Sequence, residues 1–348
     1  RLQKWCFRIS IVAVALVLLF LLVGNNASFQ AGLNAQAPKL FGASENVYDE
    51  TVAAGQEAGA IAPLFGGTLG VIFLAIPYIV FFNLWPNWGA TLYGEVRGAT
   101  DFKRNFWGMG WALIGTTILG AVFFLLISKT ITWDWYMNAN GAWWNYRWGY
   151  TDQVPPLPIW PYPALLAVFM TPSRILRFII ILAMSAWWFG WSGTVFLSST
   201  RVIFAAAFDR LLPERVAEVD PKTRTPIIAL VLMVVPSLIV AALFAWNIFN
   251  FQTLTLCSTL VIAVTYLGST IAAILLPWIK KDLYNASPIA KYKIFGIPLI
   301  SIAGVIFGAF LGYLLYQWLI DPNGLYGIGL SNTSSVIYML AMYLLALG

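Results

Sequence analysis

Apolar residues dominate this chain in long runs, and the polar positions fall mostly between them. Eight apolar segments can be read, at about 6–24, 63–94, 107–128, 176–207, 226–247, 254–279, 294–320 and 335–347. A helix needs about 20 apolar residues to cross a bilayer, so most of these runs predict one crossing each. The second is different. PLFGGTLGVIFLAIPYIVFFNLWPNWGATLYG (63–94) is too long for one crossing and too short for two with a loop. Asn83, Pro86, Asn87 and Gly89 sit near its centre, flanked by Trp85 and Trp88. Proline removes a backbone donor and clashes with the preceding turn, and glycine loosens it. The pattern predicts a helix unwound at mid-membrane. Irregular backbone at that depth is tolerated only against protein or a wet cavity, and in secondary transporters such breaks hold the substrate.

Between the runs, two long stretches are predicted as outer loops. Residues 25–62 are small and polar, with room for a short helix. Residues 129–175 are crowded with aromatics, among them Trp133, Trp135, Tyr136, Trp143, Trp144, Tyr146, Trp148 and Tyr150, and then with prolines. Two readings stay open for the second stretch. One is a Trp/Tyr belt at the lipid interface; the other is a structured lid over an outer vestibule. Asn26-Ala-Ser and Asn332-Thr-Ser match the glycosylation pattern and are expected to face outward.

The composition agrees with a polytopic membrane protein. Of 348 residues, 60% are hydrophobic and 10% charged, against about 25% charged in soluble domains. The net charge of +6 does not indicate nucleic acid, because its distribution is one-sided. With the N-terminus placed in the cytoplasm, fifteen of the 20 Lys and Arg fall in inner loops and five in outer ones. That satisfies the positive-inside rule. There is no histidine, and the two cysteines, Cys6 and Cys257, are expected to be free. No metal or cofactor set, paired carboxylates, or nucleophile beside a base can be read, which argues against a membrane enzyme. No ionisable group falls securely at a bilayer centre, so ion coupling cannot be read from the residues. The chain opens on Arg and stops after about thirteen residues of the last segment, so it is expected to be part of a longer protein.

Two helical patterns add candidates. In the fourth segment Ser185, Ser192 and Ser199 recur every seven residues, and Trp188 shares their face. Such a hydroxyl stripe is either interhelical glue or the wall of a polar, ion-conducting pathway. In the seventh segment Gly304, Gly308 and Gly312 form a doubled GxxxG. This motif lets helices approach closely, in a homodimer or in the last hairpin.

Two stretches carry a family resemblance. SSTRVIFAAAFDRLLPERVAEVDPKTRTPIIAL (198–230) resembles the inner loop after the eighth helix of amino acid–polyamine–organocation (APC) permeases, roughly SRxxxAxxxDGLLPxxxAxxxPxxxTP. Arg201, Asp209, Leu211, Leu212, Pro213, Pro221, Thr225 and Pro226 match, and Arg210 stands where the family prefers glycine. ATLYGEVRGATDFKRNF (90–106) is similar to the EVKNPxRNxP segment after the sixth helix, through Glu95, Val96, Arg97, Arg104 and Asn105, without its proline.

The resemblance implies an all-α, LeuT-type inverted repeat of five plus five helices, represented here by helices five to twelve. On that map 1–24 closes the first repeat and 25–62 is an extracellular loop. Residues 63–279 are the second repeat, with 129–175 as the lid, and 294–348 are a C-terminal hairpin. The first broken helix, which holds the other half of the family's substrate site, falls outside this chain. The implied activity is secondary transport of amino acids or related amines across the plasma membrane, with H+ or Na+ as the coupling ion. The expected substrate site is Asn83, Trp85, Pro86, Asn87, Trp88 and Gly89, with Trp188 and Ser192. Asn87 stands near the family's acidic position, so amides and indole faces replace a carboxylate. A non-transporting solute sensor or partner subunit of the same fold is the alternative.

Overall fold

A computed structural model describes residues 2–59, 63–83, 98, 101–147, 149–248, 251 and 254–347. The protein is built of α-helices; its only sheet among the described residues is a two-residue hairpin. Six described helices are long and apolar enough to cross a membrane, which makes this a multi-pass membrane protein. They are α1 (Leu2–Val23), α5 (Phe102–Thr130), α8 (Arg174–Phe208), α9 (Ile227–Ala245), α10 (Thr255–Ile279) and α12 (Leu299–Ile320). Among the described residues there are also two shorter apolar helices, α4 (Leu69–Asn83) and α13 (Thr333–Leu347). The chain gathers into two packed units, and the predicted second repeat, 63–279, contributes to both.

The first unit comprises Arg1–Leu69 and Phe106–Ala205. In it α1 packs on α8 through small and polar residues. The Ser10 hydroxyl, buried in an apolar helix, donates to its own Cys6 carbonyl at 2.9 Å and lies 3.4 Å from the Ala183 carbonyl. Gln3 donates to the Thr194 hydroxyl at 2.9 Å. A methyl group on Gly190 would sit 3.1 Å from the Cys6 Cβ, so glycine permits the approach. At the other end of α1 the last carbonyls lack intrahelical donors. Lys129 and Thr130, closing α5, supply them: Lys129 donates to Leu22 and Gly24, and Thr130 to Leu21. A basic group at a helix C-terminus also meets the negative end of its dipole.

The two predicted outer loops are largely helical. Residues 25–62 contain α2 (Asn26–Phe41) and α3 (Val47–Glu57), and 129–175 contain α6 (Trp133–Arg147), the short α7 (Pro163–Ala167) and a 3-10 turn at Val168–Met170. A capping box of Asn25 and Ser28 starts α2, and Gly42, at φ 68°, ends it. Phe29, Leu33 and Ala37 are buried on α2, and Val47, Thr51 and Gly55 on α3. Both sets recur every four residues, the spacing of one helix face.

The second unit holds the described parts of Gly70–Asn105 and Ala206–Gly348. Its core joins Cys257, Leu260 and Ala263 of α10 to Leu311, Leu314, Leu315 and Trp318 of α12, with Met339 of α13. The predicted seventh segment, 294–320, is shorter than read, because its start forms a hairpin. Lys293–Ile294 pairs with Ile297–Pro298 around Phe295 and Gly296, both at positive φ (50° and 81°), the geometry of a tight hairpin turn. The short α11 (Lys281–Ala286) precedes it.

Candidate functional site

Of the stretch predicted to break, 63–94, residues 63–83 are described and hold α4, which ends at Asn83; Trp85, Pro86, Asn87, Trp88 and Gly89 lie outside the described residues. What holds α4 is a set of phenols. Pro77 is buried inside the helix and has no N–H, so the Phe73 carbonyl four residues earlier loses its helical donor. The Tyr313 hydroxyl of α12 donates to that carbonyl at 2.6 Å. One residue on, the Leu74 carbonyl accepts from the Tyr326 hydroxyl at 2.8 Å. In return Tyr78, on the far side of the proline, donates to the Leu325 carbonyl at 2.5 Å. The rings pack as well: Phe73 meets Tyr313 edge-on at 5.8 Å, and Tyr78 tilts against Tyr326 at 5.1 Å.

The loop that carries Tyr326 is itself braced. Asp321 ends α12 in the left-handed region at φ 45° and is buried. Its carboxylate accepts from the backbone N–H of Leu325 (2.8 Å), Tyr326 (3.1 Å) and Gly327 (2.9 Å). Burial, then the neighbouring Tyr313, Tyr78 and Asp321, push the Tyr326 phenol up to about 12. Its hydroxyl therefore keeps its proton across physiological pH.

The serine candidates of α8 lie in the first unit. Ser192 donates to its own Trp188 carbonyl at 2.7 Å, and Ser185 to Ile181 at 2.8 Å. Trp188 is 65% exposed and Ser192 is exposed, while Ser185 and Ser199 are half-buried. The face that meets α1 runs through Ala183, Gly190 and Thr194. Ser185 is two residues from Ala183, about 200° around the helix at 3.6 residues per turn. The stripe thus points away from α1, with the Ser185 and Ser192 hydroxyls satisfied by their own helix. These serines do not glue α8 to α1. The stripe and α4 belong to different units.

The glycine motif of α12 has a nearer partner than α13. A methyl on Gly304 would lie 2.5 Å from the Ile274 Cγ1 of α10, and one on Gly308 would lie 3.7 Å from the Thr270 Cγ2. Gly312 has open space. Beside them Ser301 donates to the Ile274 carbonyl at 3.0 Å.

The helices of the two predicted outer loops share an aromatic centre. Trp135 is 1% exposed; it stacks on Tyr48 at 5.6 Å and meets Phe29 edge-on at 5.0 Å. Its indole N–H donates to the Tyr48 carbonyl at 3.1 Å. A methyl on Gly55 would come within 2.4 Å of the Asn138 backbone, so α3 and α6 are in close contact. Burial raises the Tyr136 and Tyr162 phenols above their ordinary value. This stretch is therefore a folded cap built from both predicted loops. Its outward aromatics, Trp144 and Trp160, pair at 6.0 Å and remain partly exposed. Asn26 is engaged in the cap, donating to the Tyr48 hydroxyl at 3.0 Å and the Ile131 carbonyl at 3.1 Å. Asn332 caps α13 by accepting from the Ser335 N–H at 3.2 Å and donates to Gly327 at 2.8 Å. Both sequon amides have structural partners.

The predicted inner loop is held by its own hydrogen bonds. Arg210, where the resembled family has glycine, sits at φ 60° just past the end of α8, a left-handed position that favours glycine. Leu211 N–H returns to the Ala206 carbonyl at 2.9 Å and Arg210 N–H to Ala207 at 3.1 Å, which closes the helix. Asp220 accepts from both the N–H and the hydroxyl of Thr223 at 2.7 Å. Those bonds hold its carboxyl below the ordinary value.

Compared with known protein families, curated proteins and solved structures, the chain finds no match.

Proposed function

We propose that the protein is a permease of the APC type, moving amino acids or related amines across the plasma membrane by alternating access. The observation that carries the reading is the inner-loop run from Arg201 to Pro226. Its residue types follow the permease pattern, and Arg210, at the pattern's glycine, has the backbone that favours glycine. The multi-helix, apolar architecture is what such a transporter requires. The lysine and arginine bias supports a cytoplasmic N-terminal end.

On this reading substrate binds at the break that follows α4, between the amides of Asn83 and Asn87 and the indoles of Trp85 and Trp88. An indole face can hold an amine by its positive charge. The coupling ion would be H+ or Na+, with the Ser185, Ser192 and Ser199 face as a candidate path. The folded cap of α2, α3 and α6 supports the lid role for 129–175. The test is uptake of labelled amino acids and amines by cells expressing the complete protein. Asn87→Leu should abolish uptake while surface expression stays normal; wild-type uptake in that variant would overturn the site. Ser192→Ala should shift substrate affinity or ion dependence. Unchanged kinetics across sodium and pH titrations would remove the serine face from the pathway.

A further inference from the structure

Proline inside an apolar helix poses a chemical problem that the second unit answers in an unusual way. The Phe73 carbonyl loses its N–H donor to Pro77, in a segment with no water to replace it. Commonly a neighbouring serine or threonine, an ordered water or a local change of helix pitch makes up the loss. Here the donor is the phenol of Tyr313, which reaches from another helix at 2.6 Å. The next carbonyl, Leu74, receives the Tyr326 phenol at 2.8 Å. Both carbonyls precede the proline. Tyr78 follows it, and its phenol is fastened to Leu325 at 2.5 Å. Pro77 is thus fixed on both sides by α12 and the loop that leaves it, and Asp321 holds that loop in shape.

We propose that Tyr313, Tyr326 and Tyr78 form a clasp that replaces the backbone donor missing at Pro77 and makes α4 move with α12 as one piece. Proline normally creates a hinge. The clasp removes the hinge at Pro77. The three tyrosines are positioning residues and touch no substrate. Apolar packing supports the same conclusion, since Ile76 and Val80 of α4 lie against the core of α10 and α12. The clasp does not depend on the transport reading; its role in a transport cycle does.

A mutant cycle tests it by amide hydrogen exchange of α4 in the purified protein. Tyr313→Phe deletes the hydroxyl and keeps the ring. Pro77→Ala restores the backbone N–H to Phe73 and so makes that hydroxyl redundant. Tyr313→Phe should raise exchange across α4 at least tenfold in the wild-type background and less than twofold in the Pro77→Ala background. Tyr316→Phe, on the exposed side of α12, should change it less than twofold in either. An equal rise from Tyr313→Phe in both backgrounds, or no rise in the first, would overturn the clasp. If Tyr313→Phe alone fails to fold, recovery of the fold in the double variant supports the proposal and continued failure refutes it. Protection that follows the cycle in a protein showing no uptake would leave the clasp standing and remove the transport reading.

Discussion

Trp135→Ala would strike the centre of the cap. The side chain is 1% exposed, so its removal leaves a cavity that the rings of Phe29 and Tyr48 cannot fill without moving. Truncation of a buried Trp or Phe costs about 3–5 kcal/mol. Two aromatic contacts, at 5.0 and 5.6 Å, keep this site off the bottom of that range, since such pairs add about 0.5–1.5 kcal/mol beyond burial. The indole N–H bond to the Tyr48 carbonyl is lost as well. A loss of about 4 kcal/mol is nearly a thousandfold in an opening equilibrium. Amide hydrogen exchange of α2, α3 and α6 should therefore speed by about that factor, or up to the limit set by the cap's own stability. Amides of α10 and α12, in the other unit, should be unchanged. Trp135→Phe, which keeps a ring and loses the N–H, should cost about 1–2 kcal/mol. Acceleration below tenfold in the cap for Trp135→Ala would refute the folded-cap interpretation and return this stretch to an interfacial aromatic belt.

Three other consequences can be measured. Gly304→Val should lower the thermal midpoint through about 1–3 kcal/mol of overpacking against Ile274, whereas Gly312→Ala, with open space around it, should raise stability by about 0.5–1 kcal/mol; equal effects at the two sites would contradict the α10–α12 contact. Arg210→Gly should stabilise the protein by about 0.5–1 kcal/mol, because φ 60° strains a residue with a Cβ, and a fall in thermal midpoint would count against that geometry. The Asp220 carboxyl is lowered in the folded protein, first by the Thr223 hydroxyl and then by its N–H. Its contribution to the turn is thus full above the unfolded value and lost as pH falls through the folded one. The Thr223 amide resonance should titrate with a midpoint below the ordinary 3.8, and Asp220→Ala should abolish that titration.

The spans were legible because each depends only on local composition: α5, α8, α9 and α10 begin and end within a few residues of the apolar runs. The cap was half legible. Phe29, Leu33 and Ala37, and Val47, Thr51 and Gly55, show a helix face every four residues, but the small polar residues around them dilute the apolar signal. That Trp135 closes on Phe29 and Tyr48 could not be read, because the pairing joins positions about a hundred apart and many aromatics nearby would serve as well. The same holds for the clasp. Pro77 announces a carbonyl without a donor, yet nothing in the sequence marks Tyr313 as the one of fifteen tyrosines that reaches it. The GxxxG of α12 signals close approach without naming a partner, and the partner is α10. The hairpin at 293–298 was hidden inside an apolar run, since Ile294, Phe295 and Ile297 look like helix until the Gly296 turn is recognised.

Transport is the central claim, and counterflow in proteoliposomes tests it most directly. The complete protein, loaded with an unlabelled amino acid or amine, should drive transient accumulation of the labelled solute, and Asn87→Leu should remove it at equal reconstitution. Solute binding by the wild-type protein with no accumulation across a panel of amino acids and amines would contradict the permease reading and leave a sensor in its place.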